Sequence, residues 1–189
     1  KTKDTHANNN ATGFAYDALN RLTTVTAPYQ NTLRYTYDEV GNKLTETDKR
    51  NYTTAFDYDA LNRLVKRTDA QDRSVNFTYD ANGNTLTETD KRGAVTTYTY
   101  DRENRLLSRE KGGITLVRYQ YDPVGNKAFE HDANGNISAY QYDLSDRLIL
   151  ESRPLAAISR FTYDAMGDRI EVRTPGGEKS YEILKIQYI

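Results

Sequence analysis

Rings and polar side chains alternate along most of this chain. Arg34-Tyr35-Thr36-Tyr37, Asn76-Phe77-Thr78-Tyr79 and Arg118-Tyr119-Gln120-Tyr121 each place an aromatic at every second residue with a polar or small residue between. A spacing of two puts both rings on the same face of a β-strand, whereas the helical period would turn them about 200° apart. These segments are therefore predicted to be strands with one half-buried face and one wet face.

The pattern recurs at a fixed interval. The second ring of each pair is a tyrosine followed by aspartate: Tyr16-Asp17, Tyr37-Asp38, Tyr58-Asp59, Tyr79-Asp80, Tyr100-Asp101, Tyr121-Asp122, Tyr142-Asp143 and Tyr163-Asp164, always 21 residues apart. Two residues before each tyrosine stands Phe14, Tyr35, Phe56, Phe77, Tyr98, Tyr119, Tyr140 or Phe161. Self-similarity on this scale marks a repeat architecture in which each unit buries its face only against its neighbours. The eight copies are in phase without insertion or deletion, so the ring columns are expected to stay aligned from repeat to repeat.

A second strand follows each Tyr-Asp, in two alternating forms. Tyr16 leads through Asn20 to Leu22, and Tyr58, Tyr100 and Tyr142 lead likewise to Leu64, Leu106 and Leu148. In the other form one residue is added and a glycine appears, from Tyr37 through Gly41 to Leu44, Tyr79 through Gly83 to Leu86, Tyr121 through Gly125 to Ala128 and Tyr163 through Gly167 to Ile170. The unit is thus a 42-residue pair, with an added residue compensated elsewhere in the period. The aspartate after each tyrosine can accept backbone N–H groups two residues on, and Asn or Gly tolerates the positive φ that a tight turn requires. Turn chemistry returns at the opposite ends of the strands, at Asp48-Lys-Arg-Asn51, Asp90-Lys-Arg-Gly93, Asp132-Ala-Asn-Gly135 and Thr174-Pro-Gly-Gly177.

These readings predict an all-β fold, an array of antiparallel hairpins forming one continuous curved sheet. About sixteen strands at ~4.8 Å spacing would extend roughly 75 Å, and sheets that large curl. Composition fits a flat, two-sided object: only 37% of the residues are hydrophobic and 28% are charged, yet the chain holds 16 Tyr and 5 Phe. The net charge of −1 has both signs scattered, which offers no basic stripe for nucleic acid. No apolar run is long enough for a membrane-spanning helix, and residues 1–10 hold no apolar signal core. Without cysteine the chain has neither disulfides nor thiolate metal sites.

An aspartate repeated eight times at one turn position serves the turn, because an active site needs one convergent constellation. His6 and His131 lie 125 positions apart, and neither has a sequence partner that would make it a ligand or base. No catalytic, cofactor or metal residue is assigned, and the chain is read as a non-enzyme. Rings beside Asp and Asn are also what a glycan-binding face uses, and this stays the alternative. Lys49-Arg50 and Lys91-Arg92 recur at turn tips and are read as solvated loop ends that guard the sheet edge.

The segments Tyr16-Asp-Ala-Leu-Asn-Arg-Leu22 and Tyr79-Asp-Ala-Asn-Gly-Asn84 resemble the YD-repeat, or Rhs-repeat, family, and the resemblance runs from about Asp4 to Gly177. It implies hairpins joined edge to edge into a spiralling hollow shell, as in bacterial toxin complexes, Rhs toxins and teneurins. In the toxin members the shell encloses a polypeptide cargo, often released by self-cleavage in a closing domain. That domain is not visible here, and Asp122-Pro123-Val124-Gly125 resembles its motif only superficially, sitting in phase as an ordinary turn. The resemblance thus implies a structural scaffold that is extracellular or on the cell surface, with the remainder of a longer shell and an enclosed polypeptide as partners. Residues 1–177 are assigned to the array and 178–189 to a divergent segment, since Leu184-Lys185 stands where the next Tyr-Asp falls. The start partway through a repeat suggests a piece of something longer, whose open edges would self-associate.

Overall fold

A computed structural model describes residues 3–5, 11–28, 31–174 and 179–180. His6, the Pro175-Gly176-Gly177 turn and the Leu184-Lys185 position lie outside the described residues, and Asp4 lies within them. Regular structure is almost entirely β, as expected, with a short 3-10 turn at Pro154–Ala156.

Two units divide the chain at Thr96/Thr97. The first holds β1 (Lys3–Thr5), β2 (Ala11–Tyr16), β3 (Leu22–Thr26), β4 (Thr32–Tyr37), β5 (Lys43–Thr47), β6 (Thr53–Tyr58), β7 (Leu64–Thr68), β8 (Ser74–Tyr79) and β9 (Thr85–Thr89). Strand β10 (Val95–Tyr100) crosses the division. The second holds β11 (Leu106–Lys111), β12 (Ile114–Tyr121), β13 (Lys127–Asp132), β14 (Ile137–Tyr142), β15 (Leu148–Arg153), β16 (Ala157–Tyr163), β17 (Arg169–Arg173) and β18 (Lys179–Ser180). The sixteen strands expected from eight repeats are β2 to β17, and β1 and β18 add a short strand at each end. From β1 to β9 and from β11 to β18, each strand pairs antiparallel with the next in sequence.

The two turn forms have the same length, which corrects the added residue inferred from sequence. Tyr16 pairs with Leu22 and Tyr37 pairs with Lys43, and Tyr58, Tyr79, Tyr121, Tyr142 and Tyr163 pair with Leu64, Thr85, Lys127, Leu148 and Arg169, always six residues on. A β-bulge follows each of these pairs, so that one strand carries an extra unpaired residue there. The apolar residue after the glycine turns, as in Leu44 or Leu86, occupies that bulge and is exposed. Aligning Leu22 with Leu44 therefore compared a paired position with a bulged one. The 21-residue period has no compensating indel because none is needed.

Within strands the burial follows the predicted alternation: in β4, Tyr35 and Tyr37 are half-buried while Arg34 and Thr36 are exposed. A thick core does not form. Val75 and Val117 are the buried hydrophobic residues among those described, and they stand 42 residues apart at the same phase of the pair.

Candidate functional site

The recurring unit is the turn after each tyrosine. The N–H of Asp59 donates to the carbonyl of Arg63 at 3.0 Å, and the N–H of Asn62 donates back to the carbonyl of Asp59 at 3.0 Å. The Asp59 Oδ1 accepts the N–H groups of Leu61 and Arg63, and its Oδ2 accepts from the Arg63 guanidinium. The glycine form is built alike: Asp80 Oδ1 accepts the N–H groups of Asn82 and Asn84, and Oδ2 accepts the Asn84 side-chain amide at 2.9 Å. One carboxylate thus closes each turn by gathering backbone donors that no ladder partner can reach. Asn20, Asn62, Asn104 and Asp146 hold φ near 60°, a region Asn and Asp tolerate, whereas Gly41 and Gly125 reach 104° and 108°, where a Cβ is strained. The Asp122-Pro123-Val124-Gly125 segment makes the same bonds as its counterparts.

These bonds set the electrostatics. The N–H of the residue four on, then the same residue's guanidinium, holds the Asp59 carboxyl below its ordinary range, and the N–H of Arg21 and of Arg147 does so first for Asp17 and Asp143. For Asp80 and Asp132 the leading cause is the neighbouring asparagine amide.

Adjacent turns are tied sideways. Arg21 Nη1 donates to the carbonyl of Asp38 at 2.6 Å and Arg63 Nη1 to that of Asp80 at 2.9 Å. The same arginines lie over the next repeat's rings, Arg21 over Tyr37 at 4.9 Å and Arg63 over Tyr79 at 4.7 Å, with Arg105 over Tyr121 and Arg147 over Tyr163 in the second unit. In the glycine turns, Asn42 Nδ2 reaches Asn62 Oδ1 at 2.9 Å and Asn126 Nδ2 reaches Asp146 Oδ1 at 2.7 Å. Lys43 sits between the Tyr35 and Phe56 rings and bonds Glu46, and Lys127 sits between Tyr119 and Tyr140 and bonds Glu130. Each such cation above a ring face adds to cohesion without a deep core.

Tyrosine is required in its column for its hydroxyl. Tyr37, Tyr79, Tyr121 and Tyr163 donate to the carbonyls of Leu22, Leu64, Leu106 and Leu148 at 2.7–2.9 Å, and Tyr58 and Tyr142 donate to those of Lys43 and Lys127 at 3.1 Å. The acceptors Leu22, Lys43, Leu64, Lys127 and Leu148 each begin the bulge on the preceding strand, where ladder pairing is disturbed. Burial pushes the Tyr79, Tyr121 and Tyr142 phenols above their ordinary pKa. The partner rings fill the other column: Phe14, Phe56, Phe77, Tyr119, Tyr140 and Phe161 are half-buried, and Tyr98 is likewise.

The opposite turns carry a column that reading by 42 residues missed in part. Asp69 builds the same turn as Asp48, Asp90 and Asp132, and the 21-residue phase would have found it. Lys91 is more than a solvated tip, because its ammonium bonds Asp69 across the neighbouring turn at 2.6 Å. That bond, with Arg73, holds the Asp69 carboxyl far below its usual range. Among the described residues, no three His, Asp or Glu side chains gather to hold a metal ion, and no buried side-chain polar atom lacks a partner. His131 lies in an open groove with Arg118 and Asp132.

Geometry of this kind defines a β-hairpin repeat protein whose distinctive residues join one repeat to the next. The chain belongs to the teneurin YD-shell family, whose model matches residues 1–184. No curated protein sequence matches it. Its fold is similar to crystal structures of TcdB2-TccC3-TEV (19% identity, TM-score 0.70) and TcdB2-TccC3 (18%, 0.73), each match covering 92% of this chain and 11% of that one. A Photorhabdus luminescens Tc holotoxin pore with a substituted TccC3 matches at 18% identity and TM-score 0.70, over 91% of this chain and 11% of that one. The chain thus spans about a tenth of the length of the solved chains it matches.

Proposed function

We infer that this chain is wall material of a secreted YD shell that encloses a polypeptide. The observation that carries the reading is the lateral tie: the Arg21, Arg63 and Arg147 guanidiniums and the Tyr37, Tyr79, Tyr121 and Tyr163 hydroxyls bond the neighbouring repeat, and Arg105 lies over the next repeat's Tyr121 ring, so the sequence chemistry is spent on continuity. The family and the similar solved chains support a shell scaffold. Enclosure of cargo and an extracellular location extend that support. Cations stand over faces of Tyr37, Tyr79, Phe56 and Tyr140, which are the faces a sugar ring would stack upon, and this favours a wall over a glycan-binding surface.

Limited proteolysis of the whole gene product carrying residues 1–189 tests the reading. A segment outside the array should resist trypsin while the array is folded and become cleavable when heat unfolds it. Cleavage of all other segments at the denatured rate, with the array still folded, would remove the enclosing role.

A further inference from the structure

The stretches 34–89 and 118–173 have the same register, pair for pair, at an offset of 84 residues. Thr45 pairs with Ala55 as Phe129 pairs with Ala139, Thr47 with Thr53 as His131 with Ile137, Lys66 with Asn76 as Leu150 with Arg160, and Thr68 with Ser74 as Ser152 with Ile158. All of these residues alternate with the ring columns and so share the face opposite the rings. On that face Thr45, Thr53, Lys66 and Ser74 are replaced by Phe129, Ile137, Leu150 and Ile158, around the small Ala139 and Ser152. In the first stretch the hydroxyls satisfy one another, Thr36 with Thr45 at 2.6 Å and Thr47 with Thr53 at 2.8 Å. In the second, Phe129 is 41% and Ile137 50% exposed.

Charge changes with them. Asp57 gives way to Gln141, Asn76 to Arg160 and Thr89 to Arg173, with Thr87 becoming Glu171, while Arg34 is kept as Arg118. Arg160 pairs directly across from Leu150. Arg118 is 61% exposed, with Glu110 at 3.8 Å, and Arg173 bonds Glu171. The apolar patch is therefore bordered by three guanidiniums, Arg118, Arg160 and Arg173, against two carboxylates, Glu110 and Glu171.

We propose that the face carrying Phe129, Ile137, Leu150 and Ile158 is a docking surface for an acidic amphipathic helix of a partner polypeptide. Four adjacent strands give a patch about 14 Å across, which accepts one helix of ~10–12 Å diameter, and a helix laid on a sheet face is the common way to cover one. The leucine-type stripe covers the apolar residues and the flanking carboxylates meet Arg118 and Arg160. This assignment concerns a face and a partner chemistry and holds whether or not the shell is closed.

The test uses the 189-residue chain and a fluorescein-labelled peptide of leucine, alanine and glutamate with leucines on one helical face, followed by anisotropy. The quadruple variant F129T/I137T/L150K/I158S carries the first stretch's own residues, and should weaken binding about tenfold or more, the order expected when such side chains leave a contact. Its far-UV circular dichroism and melting should match the parent, and the reciprocal T45F/T53I/K66L/S74I should bind more peptide. A lysine-for-glutamate version of the peptide should bind the parent weakly. Equal binding by parent and quadruple variant, preference for the lysine peptide, or no binding would overturn the proposal. So would a dimer in sedimentation velocity that the quadruple variant abolishes, since the occupant would then be a second copy.

Discussion

Two stretches of one chain, 34–89 and 118–173, share every pairing and differ most on one face. What stays constant is the phenol, the turn carboxylate and the bulge: Tyr37 and Tyr121, Asp38 and Asp122, Asp59 and Asp143 make matching bonds. What varies is the face away from the rings, where four hydroxyl or ammonium groups in one stretch are apolar in the other. A repeat array holds fixed whatever one unit owes its neighbours and leaves the rest to be used. The constant positions are the fold, and the variable face is where this chain can differ from another of its kind.

The largest test compares two positions 42 residues apart, Val75 in the first stretch and Val117 immediately before the second, since the 84-residue counterpart of Val75 is Ser159. Val75 and Val117 are 6% and 9% exposed at the same phase. Val75→Asp and Val117→Asp should each cost about 3 kcal/mol or more, because each buries an unpaired charge. Urea titration of both variants should give matching losses, and a tolerant site at either position would show that the two positions are not equivalent.

A smaller effect separates two turns that the register makes equivalent. Asp80 Oδ2 accepts the Asn84 amide, but the residue at the corresponding position after Asp164 is Asp168, another carboxylate with no amide to donate, and the Asp164 Oδ1 accepts the N–H groups of Met166 and Asp168. Asp80→Asn should destabilise by about 0.5–2 kcal/mol, since it turns an acceptor towards a donor. Asp164→Asn should be neutral or stabilising, because it removes a like-charge neighbour and offers a donor to Asp168. Equal losses on thermal melting would mean that the side-chain bond contributes nothing. The lowered carboxyls of Asp17, Asp59, Asp80 and Asp143 add a pH dependence. Their folded pKa lies below the unfolded value of ~3.9, so their contribution is complete above about pH 5 and is lost as pH falls through the folded values. Denaturant midpoints should therefore drop below about pH 4, and the drop should shrink in a chain whose turn aspartates are replaced by asparagine.

Tyrosine hydroxyls should weigh the same in both stretches. Tyr79→Phe and Tyr163→Phe each leave a bulge carbonyl, of Leu64 or Leu148, without its donor. Each should cost about 1 kcal/mol by chemical denaturation, and a loss at one position alone would break the equivalence.

The strands and the Tyr-Asp turns were legible because a two-residue ring spacing and a 21-residue period are direct consequences of pleat and repeat. The bulge was not. A leucine six residues after Tyr16 and another seven after Tyr37 look like homologous core positions, and only pairing shows that Lys43, not Leu44, is opposite Tyr37. Equal spacing of the arginine and asparagine four residues after each aspartate, at Arg21, Asn42, Arg63 and Asn84, was the available signal that the turns are of one length. The lateral bonds of Arg21, Lys43 and Lys91 were hidden for a different reason. They join residues 13 to 22 apart whose proximity depends on strand order, and polar residues at turns read as solvated until a neighbour is placed beside them.

The smallest prediction moves one stretch towards the other at a single ring. Arg169 lies over Phe161 at 5.8 Å in the second stretch, and Lys43 over Tyr35 and Phe56 with a bond to Glu46 earlier in the chain. The corresponding residue of the first stretch is Thr85, which pairs with Tyr79, while Phe77 pairs with Glu88 in the same register that places Tyr35 against Glu46. Ring and carboxylate are thus both in position, and the cation is what differs. Thr85→Lys should raise stability by about 0.5 kcal/mol, the size of a partly exposed cation above a ring. Thr85→Met carries a side chain of similar length without charge, so it separates the charge from the added packing. If the two variants melt together, the lysines at 43 and 127 act as apolar stems over their rings, and if Thr85→Lys melts higher only at low salt, the ion pair with Glu88 supplies the gain rather than the ring.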